Sequence, residues 1–375
     1  MRQYRPAAKP TRVVVVVIGM WLAAFVVTGI GSAAGPPANE RQCGARWRTV
    51  PSPSPDPREN SLVDASATSE SDIWAVGTAG YPRGRALIEH WNGRRWRNVV
   101  GANVGRTSHT LSGVAAVSRR EAWAVGSIGP EARSRPLIER WNGRAWRVVS
   151  TPTTGRRIEE LYDVAGVASN DVWAVGAAYD GSDWRTLIEH WDGRSWQIVP
   201  NPQFKEDDFL TAITARAAND VWAVGSTHAN PLVAHWDGNA WQRTEPRPSR
   251  TESYLNAVEG SSATDVWAVG QLAAAPLVER WDGRAWRDFP LPRAHWQAWY
   301  QQQVNSVLSG LAALAPNDVR VTGFRIEHWN GRRWQAGPKW GGSAIVALTS
   351  RNVWVVGNIG LRRKISTRVM HYSCR

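Results

Sequence analysis

Residues 171–176 read DVWAVG, and residues 187–196 read LIEHWDGRSW. The first string occurs seven times with small changes, at 72–77, 121–126, 171–176, 220–225, 265–270, 318–323 and 352–357. The second string follows the first six copies, at 87–96, 137–146, 187–196, 232–241, 277–286 and 325–334. The period is close to 49 residues, and periods of 40–50 residues are typical of propellers or helical arrays.

The local pattern within each copy favours the propeller. The first six copies contain short β-branched and aromatic runs that are broken by Asn-Gly or Asp-Gly, the strongest short hairpin signal. No copy carries a helical apolar stripe over ten residues. We therefore predict an all-β fold in which each copy forms four antiparallel strands, named a to d in chain order, and the copies form the blades of a β-propeller.

The two ends of the chain are predicted to complete one blade. The seventh copy ends at RVMHYSCR (368–375), which supplies strand c but no strand d. Residues 42–50, QCGARWRTV, match the strand-d sequence of the other copies, with Trp47 in the place of Trp96. We therefore predict one seven-bladed propeller over residues 42–375, with the ring closed by the N-terminal strand.

Composition narrows the possible classes of protein. The chain has 375 residues with 24 Trp, 5 Phe and 7 Tyr. Nineteen of the tryptophans occupy fixed places in the repeat, which is the arrangement that packing one blade against the next requires. Two cysteines exclude a four-thiolate metal site. Both fall in the closing blade, and we expect a disulfide between Cys43 and Cys374.

The basic charge has two interpretations. The formal net charge is +13, and almost all of the basic residues are Arg. Many follow the turn glycine or the strand-d tryptophan, so we interpret them as charge on exposed outer strands, where it blocks edge-to-edge aggregation. Attraction to anionic polymers of the cell envelope is the alternative. We expect a monomer with no nucleic-acid partner.

Residues 1–34 have the composition of a targeting segment. Four basic residues and no acidic one precede a 19-residue apolar run at 13–31, and small residues follow it. This order is typical of a secretory signal peptide, but the run is also long enough to span a bilayer as an uncleaved anchor. In both cases we expect residues 35–41 to form a linker and the propeller to be secreted or in the cell envelope, with membrane contact only through the N-terminal segment.

The repeated strings WAVG and HW(N/D)GxxW resemble the repeats of secreted bacterial propellers. These are grouped loosely with kelch, galactose-oxidase central-domain and photosystem-assembly propellers. The resemblance covers residues 42–375 and implies the fold but no single activity, because such propellers host many. Copper chemistry of the galactose-oxidase kind needs a Tyr–Cys crosslink, and both cysteines are assigned to the disulfide. Sialidase boxes and DxDxDG calcium loops are absent from the sequence, so we expect no cofactor and no metal.

One position in strand c holds most of the histidines. Five of the eight occupy it, namely His90, His190, His235, His328 and His371, and Arg140 and Arg280 fill it in other copies. A position that accepts His or Arg is structural rather than metal-binding. We expect the glutamates that precede it (Glu89, Glu139, Glu189, Glu279 and Glu327) to pair with arginines of strand d.

Residues outside the repeat mark the candidate ligand site. Because the strands alternate in direction, the b–c and d–a connections share one face, and their lengths vary most. Loops that vary on a rigid scaffold tend to carry function. These connections carry the candidate ligand-binding residues Trp184, His295, Trp296, Trp299, Tyr300 and Trp340. The segment 291–304 is the centre of the predicted site, and its alternative role is to cap the central channel or pack on a blade.

Two functions from different classes follow. The first is a non-enzymatic extracellular binding or scaffold propeller, whose ligand is a cell-envelope glycan or an extracellular protein. The second is a propeller glycan hydrolase or lyase, with an acid/base pair drawn from carboxylates on the same face. The candidates for that pair are Glu159, Glu160, Asp163, Asp207, Asp208 and Glu252. No residue is assigned a catalytic role from the sequence.

Overall fold

The computed structural model describes residues 44–80, 84–102, 104–105, 107–201, 204, 207–228, 230–244, 246, 251–301, 307–361 and 364–373. The strands are β1 Arg46–Val50, β2 Asn60–Ser69, β3 Asp72–Ala79, β4 Arg85–Trp91, β5 Trp96–Asn98, β6 His109–Ser118, β7 Glu121–Ile128, β8 Arg135–Trp141, β9 Trp146–Val148, β10 Ile158–Ala168, β11 Asp171–Tyr179, β12 Trp184–Trp191, β13 Trp196–Ile198, β14 Asp208–Ala217, β15 Asp220–Thr227, β16 Asn230–Trp236, β17 Trp241–Thr244, β18 Ser253–Ser262, β19 Asp265–Leu272, β20 Ala275–Trp281, β21 Trp286–Asp288, β22 Leu308–Ala315, β23 Asp318–Gly323, β24 Glu327–Trp329, β25 Trp334–Ala336, β26 Ala344–Thr349, β27 Asn352–Leu361 and β28 Lys364–Ser373. A 3₁₀ helix spans Glu131–Arg133, and helix α1 spans Arg293–Gln301.

The strands form seven four-stranded antiparallel sheets, and these sheets are the blades of a ring. Blades 1 to 6 each contain four consecutive strands, from β2–β5 to β22–β25, in the order a, b, c, d. The a strands of neighbouring blades contact one another all the way around the ring, so they line its inside. The short d strands lie at the outer edge. The predicted all-β, seven-bladed propeller is therefore confirmed.

Blade 7 contains both ends of the chain. Its order is β26, β27, β28 and then β1, so the N-terminal strand takes the outermost place. The pairing runs from Arg46 opposite Ser373 to Val50 opposite Val369. The inner strand of blade 1 packs against blade 7 and completes the ring. Cys43 and Cys374 lie outside the described residues, and the disulfide stays a prediction.

Tryptophans fill the wedges between blades, as the repeat predicts. The strand-c and strand-d tryptophans of one blade pack on the strand-b tryptophan of the preceding blade. Between blades 1 and 2, the ring of Trp74 lies 5.0 Å from that of Trp141 and 5.1 Å from that of Trp146. At the closure, Trp91 lies 4.7 Å from Trp354 of blade 7. Aromatic pairs at these separations stabilise a fold by more than the burial of their apolar surface alone provides.

In blades 2 to 5, the strand-b tryptophan is held by an acidic residue and a strand-c partner. Asp171 accepts hydrogen bonds from Nε1 of Trp173 (2.9 Å) and Nε2 of His190 (2.8 Å). The histidine ring also packs on the indole, with 4.2 Å between centroids. In blade 5, Arg280 lies 4.9 Å over Trp267 and donates to the equivalent aspartate. A histidine and an arginine at this position both stack on the indole and donate a hydrogen bond to the aspartate. This shared role explains why either residue occupies the position and supports its structural interpretation.

Blades 6 and 7 depart from the repeat at a shared interface. Arg320 of blade 6 replaces the strand-b tryptophan, and Tyr372 of blade 7 replaces the strand-c tryptophan that faces it. The guanidinium of Arg320 lies 6.0 Å from the centre of the Tyr372 ring. It also donates to Asp318 and to the backbone carbonyl of Ser350, each at 2.7 Å. The two substitutions therefore compensate each other across the last interface.

Candidate binding face

The two faces of the ring differ in how their loops are built. On the turn face, two-residue a–b turns and four-residue c–d turns lie side by side, and Nε1 of Trp91 donates to the carbonyl of Glu70 at 3.0 Å. The b–c and d–a connections form the opposite, variable face. There the backbone N–H of Asp207 donates to the carbonyl of Trp184 at 2.8 Å. The length variation of the chain is therefore concentrated on the variable face.

Of the predicted segment 291–304, the structure describes residues 291–301, which lie between blades 5 and 6 and contain helix α1. The helix contacts strand c of blade 5. In blade 6, Glu327 is fully buried and accepts a hydrogen bond from Nδ1 of His295 at 2.9 Å. The Nε atom of Arg325 lies 3.1 Å from Oε1, the other carboxylate oxygen of Glu327. His295 therefore anchors the helix to the strand-c region of blade 6.

The aromatic residues of the helix differ in their placement. Trp296 packs against the hydrophobic cluster shared by blades 5 and 6, so its indole supports the position of the helix. Trp299 and Tyr300 follow it on the same helix, and their side chains lie outside the described part of the structure. A contact of these two side chains with a ligand stays a prediction.

The remaining candidate aromatics lie in other sectors of the variable face. Trp184 begins strand c of blade 3, and its ring is 5.0 Å from that of Tyr179 across the b–c hairpin. Trp340 lies in the connection between blades 6 and 7, where the guanidinium of Arg368 sits 4.2 Å over its ring. Trp184 and helix α1 therefore belong to sectors on different blades.

The strand-c glutamates do not pair with strand-d arginines as predicted. They are buried, and most bind the connection that enters their blade from the preceding one. Glu89 accepts a hydrogen bond from the hydroxyl of Ser52 at 2.6 Å, and Glu139 accepts one from the backbone N–H of Ala102 at 2.8 Å. Glu189 accepts one from the hydroxyl of Thr151.

Burial changes the ionisation of these glutamates. Desolvation raises the pKa of Glu89 to about 8 and that of Glu189 to about 7, although hydroxyl donors oppose the change. Desolvation also raises the pKa of Glu139 to about 6. The pKa of Glu279 rises to about 8 because of burial and the nearby Asp288. A buried carboxyl without a cationic partner favours its neutral form, so Glu89 and Glu279 are mostly protonated at neutral pH.

Several carboxylates considered for an acid/base pair have structural partners. Asp163 is buried on strand a of blade 3 and accepts a hydrogen bond from the backbone N–H of Ile213 in blade 4 at 2.8 Å. Asp208 pairs with Arg243 at 2.8 Å. Burial raises the pKa of Glu159, but hydrogen bonds from two threonine hydroxyls of its own loop hold it below its ordinary value. These contacts join loops and blades to one another.

An open cleft on the variable face contains a cluster of arginines. Its volume is about 550 Å³, and we name it the arginine cleft after its lining residues, Arg133, Arg135, Thr154, Gly155, Arg156, Arg157 and Asp180. These residues come from the b–c connections of blades 2 and 3 and the connection between those blades. This cleft was not predicted from the sequence, in which its only signals are the arginine pairs at 133 and 135 and at 156 and 157.

Comparison with known proteins places the chain by fold. No protein-family model matches it, and no curated protein does. Among solved structures, YCF48 bound to a D1 peptide has a TM-score of 0.57 and 12% identity, over 88% of this chain and 97% of that one. The WD40 repeats of RRP9 have a TM-score of 0.60 and 12% identity, over 88% and 97%. The extracellular domain of the putative one-component system BT4673 from B. thetaiotaomicron has a TM-score of 0.54 and 11% identity, over 86% of this chain and 39% of that one.

These observations define the structural class. The chain is a seven-bladed β-propeller with four-stranded antiparallel blades, and at such low identities the similarity to solved structures shows the fold alone. None of the helices in the described part of the chain has the length and apolarity that crossing a bilayer requires. Within the same residues, no group of His, Cys, Asp and Glu side chains could hold a metal ion.

Proposed function

We propose that the chain is an extracellular, non-enzymatic binding or scaffold propeller that holds a glycan or a protein on its variable face. One observation carries this proposal. Seven short a–b turns close the turn face, whereas the variable face carries the long connections, including helix α1 with its buried anchor at Glu327. A rigid ring with variable loops on one side is the arrangement that binding proteins use.

Two further points support a binding role. A propeller of similar fold, YCF48, has been solved with a bound D1 peptide. Two of the six carboxylates considered for an acid/base pair, Asp163 and Asp208, are engaged in buried structural contacts, which takes these two out of reach of a substrate. The extracellular location rests on the predicted targeting segment at 1–34, and the domain limits 35–41 and 42–375 are part of the same proposal.

Removing the aromatic side chains at the end of helix α1 is expected to weaken binding. The purified protein is screened on a glycan array and against a panel of immobilised peptides, and the affinity for the strongest hit is measured by titration calorimetry. A Trp299→Ala, Tyr300→Ala variant is expected to bind at least tenfold more weakly, because each ring supplies rigid contact area at low entropic cost. Trp296 is kept, since its loss would release the helix from the blade.

The matched control removes apolar side chains elsewhere. Val148 and Ile198 are exposed on outer strands (51% and 37%), and Val148→Ala with Ile198→Ala is expected to leave the affinity unchanged. Parental affinity in the helix variant would remove helix α1 from the site. A protein that binds nothing in either panel would overturn the proposed function.

A further inference from the structure

The arginine cleft lies apart from helix α1, and nothing in the repeat accounts for it. We propose that this cleft binds the carboxylate groups of an acidic oligosaccharide. The inference deepens the proposed function, since it assigns a ligand class to a second sector of the same variable face. It rests on the position, the hydrogen bonds and the charge of four arginines.

Two guanidinium groups of the cleft, those of Arg135 and Arg157, are held in place by backbone carbonyls. Nη1 of Arg135 donates to the carbonyl oxygens of Ser134, Arg156 and Arg157, at 3.0–3.1 Å. Nε of Arg157 donates to the carbonyl of Ala132 at 3.2 Å. The remaining N–H groups of Arg135 and Arg157 have no partner among the described residues. The side chains are thus positioned without their charges being neutralised.

The local charge is not balanced by acidic residues of the lining. Asp180 is the one acidic residue there, and it pairs with Arg156. For Arg133 and Arg157, the described residues include no carboxylate partner. Arg280, by contrast, pairs with Asp265 at 2.8 Å. Like charges gathered in a concave surface repel one another and attract a counter-charge, so the cleft favours an anionic ligand.

Carboxylates fit this arrangement in geometry as well as charge. The planar guanidinium presents a fork of N–H donors that matches the two oxygens of a carboxylate. Arg156 is paired with Asp180, which leaves the guanidinium groups of Arg133, Arg135 and Arg157 for a ligand. Three such groups can hold more than one carboxylate, which suits a chain with an acid on successive units. The volume of about 550 Å³ lies within the range of ligand pockets.

The lining favours a sugar over a peptide. It contains arginines, Thr154, Gly155 and Asp180 and no apolar side chain, whereas protein interfaces are built around an apolar centre. The hairpin that carries Asp180 also carries the packed ring pair of Tyr179 and Trp184. A carboxylated sugar that extends from the cleft along this hairpin would meet a flat aromatic surface as well as charge.

The test compares acidic and neutral forms of the same sugar. Oligogalacturonate, alginate oligomers, fully methyl-esterified oligogalacturonate, poly-glutamate and inorganic phosphate are titrated into the protein by calorimetry at fixed ionic strength. We expect an acidic oligosaccharide to bind and the ester not to bind. Arg133→Gln with Arg157→Gln is expected to lower the affinity at least tenfold. Arg133→Lys with Arg157→Lys is expected to weaken it as well, because lysine lacks the fork.

A control variant separates the cleft from the overall charge of the protein. Arg94→Gln with Arg144→Gln removes the same charge from exposed positions on the turn face, and its affinity is expected to stay within twofold of the parent. Equal loss in both glutamine variants, or equal binding of the ester, would overturn the inference. Tighter cleft-dependent binding of poly-glutamate or of phosphate would overturn the assignment to a sugar.

The outcomes also separate this inference from the proposed function. If no acidic oligosaccharide binds but another ligand depends on helix α1, only the arginine cleft loses its assignment. If the cleft variants fail to bind and the helix variants bind normally, the proposed function stands with its site at the cleft.

Discussion

Replacing Cys43 with serine is expected to lower the free energy of unfolding by on the order of 5 kcal/mol. The reason is that blade 7 is assembled from both chain ends and therefore has no covalent c–d turn. Strand β1 is held there by its pairing with β28, from Arg46 opposite Ser373 onward. A disulfide between Cys43 and Cys374 would replace the missing link and close a loop of almost the whole domain. In the chain-entropy model such a loop gives the largest stabilisation.

The register makes the proposed disulfide a specific claim. If the pairing of Arg46 with Ser373 continued by one residue, Ala45 would lie opposite Cys374, two residues from Cys43. A disulfide requires Cα atoms within about 7 Å, so the link needs the strand ends to converge beyond the paired region. We therefore expect the bond to connect strand ends rather than directly opposed residues.

Peptide mapping and melting curves test this link. Non-reducing mapping of the exported protein should recover both cysteines in one linked fragment. Cys43→Ser and Cys374→Ser should lower the melting temperature equally, the double variant should lower it no further, and reductant should destabilise only the parent. Two free thiols that alkylate without reductant would contradict the disulfide, and residues 42–50 would then be held by strand pairing and packing alone.

The second large effect is a loss of stability as the pH rises from about 5 to 8. In the folded ring, burial raises the pKa of Glu89 to about 8, while its ordinary value is 4.5. Between these values the folded state keeps a proton that the unfolded state has released. Stability from this group is thus fully present below pH 4.5 and is lost as the pH rises through 8. The loss is about 1.4 kcal/mol per pH unit for each such group.

Other buried groups add to this trend or oppose it. Burial raises the pKa of Glu279 to about 8 and places that of Glu189 at about 7. Desolvation raises the pKa of Asp64 and of Asp163 as well, and each repels the other across the inner strands. His371 opposes the trend between pH 4 and 6.5, since burial lowers its pKa to about 4 and the folded state then binds fewer protons. The net expectation is a propeller that is most stable in mild acid.

Urea unfolding at pH 5, 6, 7 and 8 and constant ionic strength measures this dependence. A Glu89→Gln, Glu279→Gln variant keeps the shape of both side chains without the ionisable group, so it should lose much of the slope and be more stable than the parent at pH 8. Glu131→Gln, at an exposed position in the 3₁₀ helix, should keep the parental slope. A parental slope in the double variant would show that these glutamates are charged or exposed in the folded protein.

The repeat was sufficient to predict the fold because the sequence pattern of one blade recurs seven times along the chain. The first six copies each carry their own turn signal, such as Asn92-Gly93, and their own tryptophans for the interface. The seventh copy lacks strand d, and residues 42–50 carry a strand-d sequence, which predicted how the ring closes. The pairing of β1 with β28 confirms this closure. Local hairpin chemistry and repetition therefore carried the prediction without any long-range information.

The strand-c glutamates show where sequence reasoning failed. In an ordinary sheet with one solvated face, the alternation of Ile88 and Glu89 would indicate one buried and one exposed position. A propeller blade packs against a neighbour on both faces, so both residues are buried and the glutamate meets a connection from the preceding blade. The pattern of polar and apolar residues cannot distinguish these cases.

The arginine cleft was missed for a related reason. Its residues come from three connections, including 133–135, 154–157 and Asp180, and nothing in the sequence says how far each loop reaches over the ring. Only the regular part of the chain has a register that can be extended from one blade to the next. Variable loops are therefore located by the scaffold, but their mutual contacts require the structure.

Hydrogen–deuterium exchange of the full protein, with and without the strongest ligand from the screen, tests the central claim that the variable face is the binding face. The account predicts protection confined to b–c and d–a connections, above all at 131–135, 154–157 and 293–301, with unchanged exchange in the c–d turns such as Asn92-Gly93. Protection concentrated in those turns, with the variable face unaffected, would contradict it.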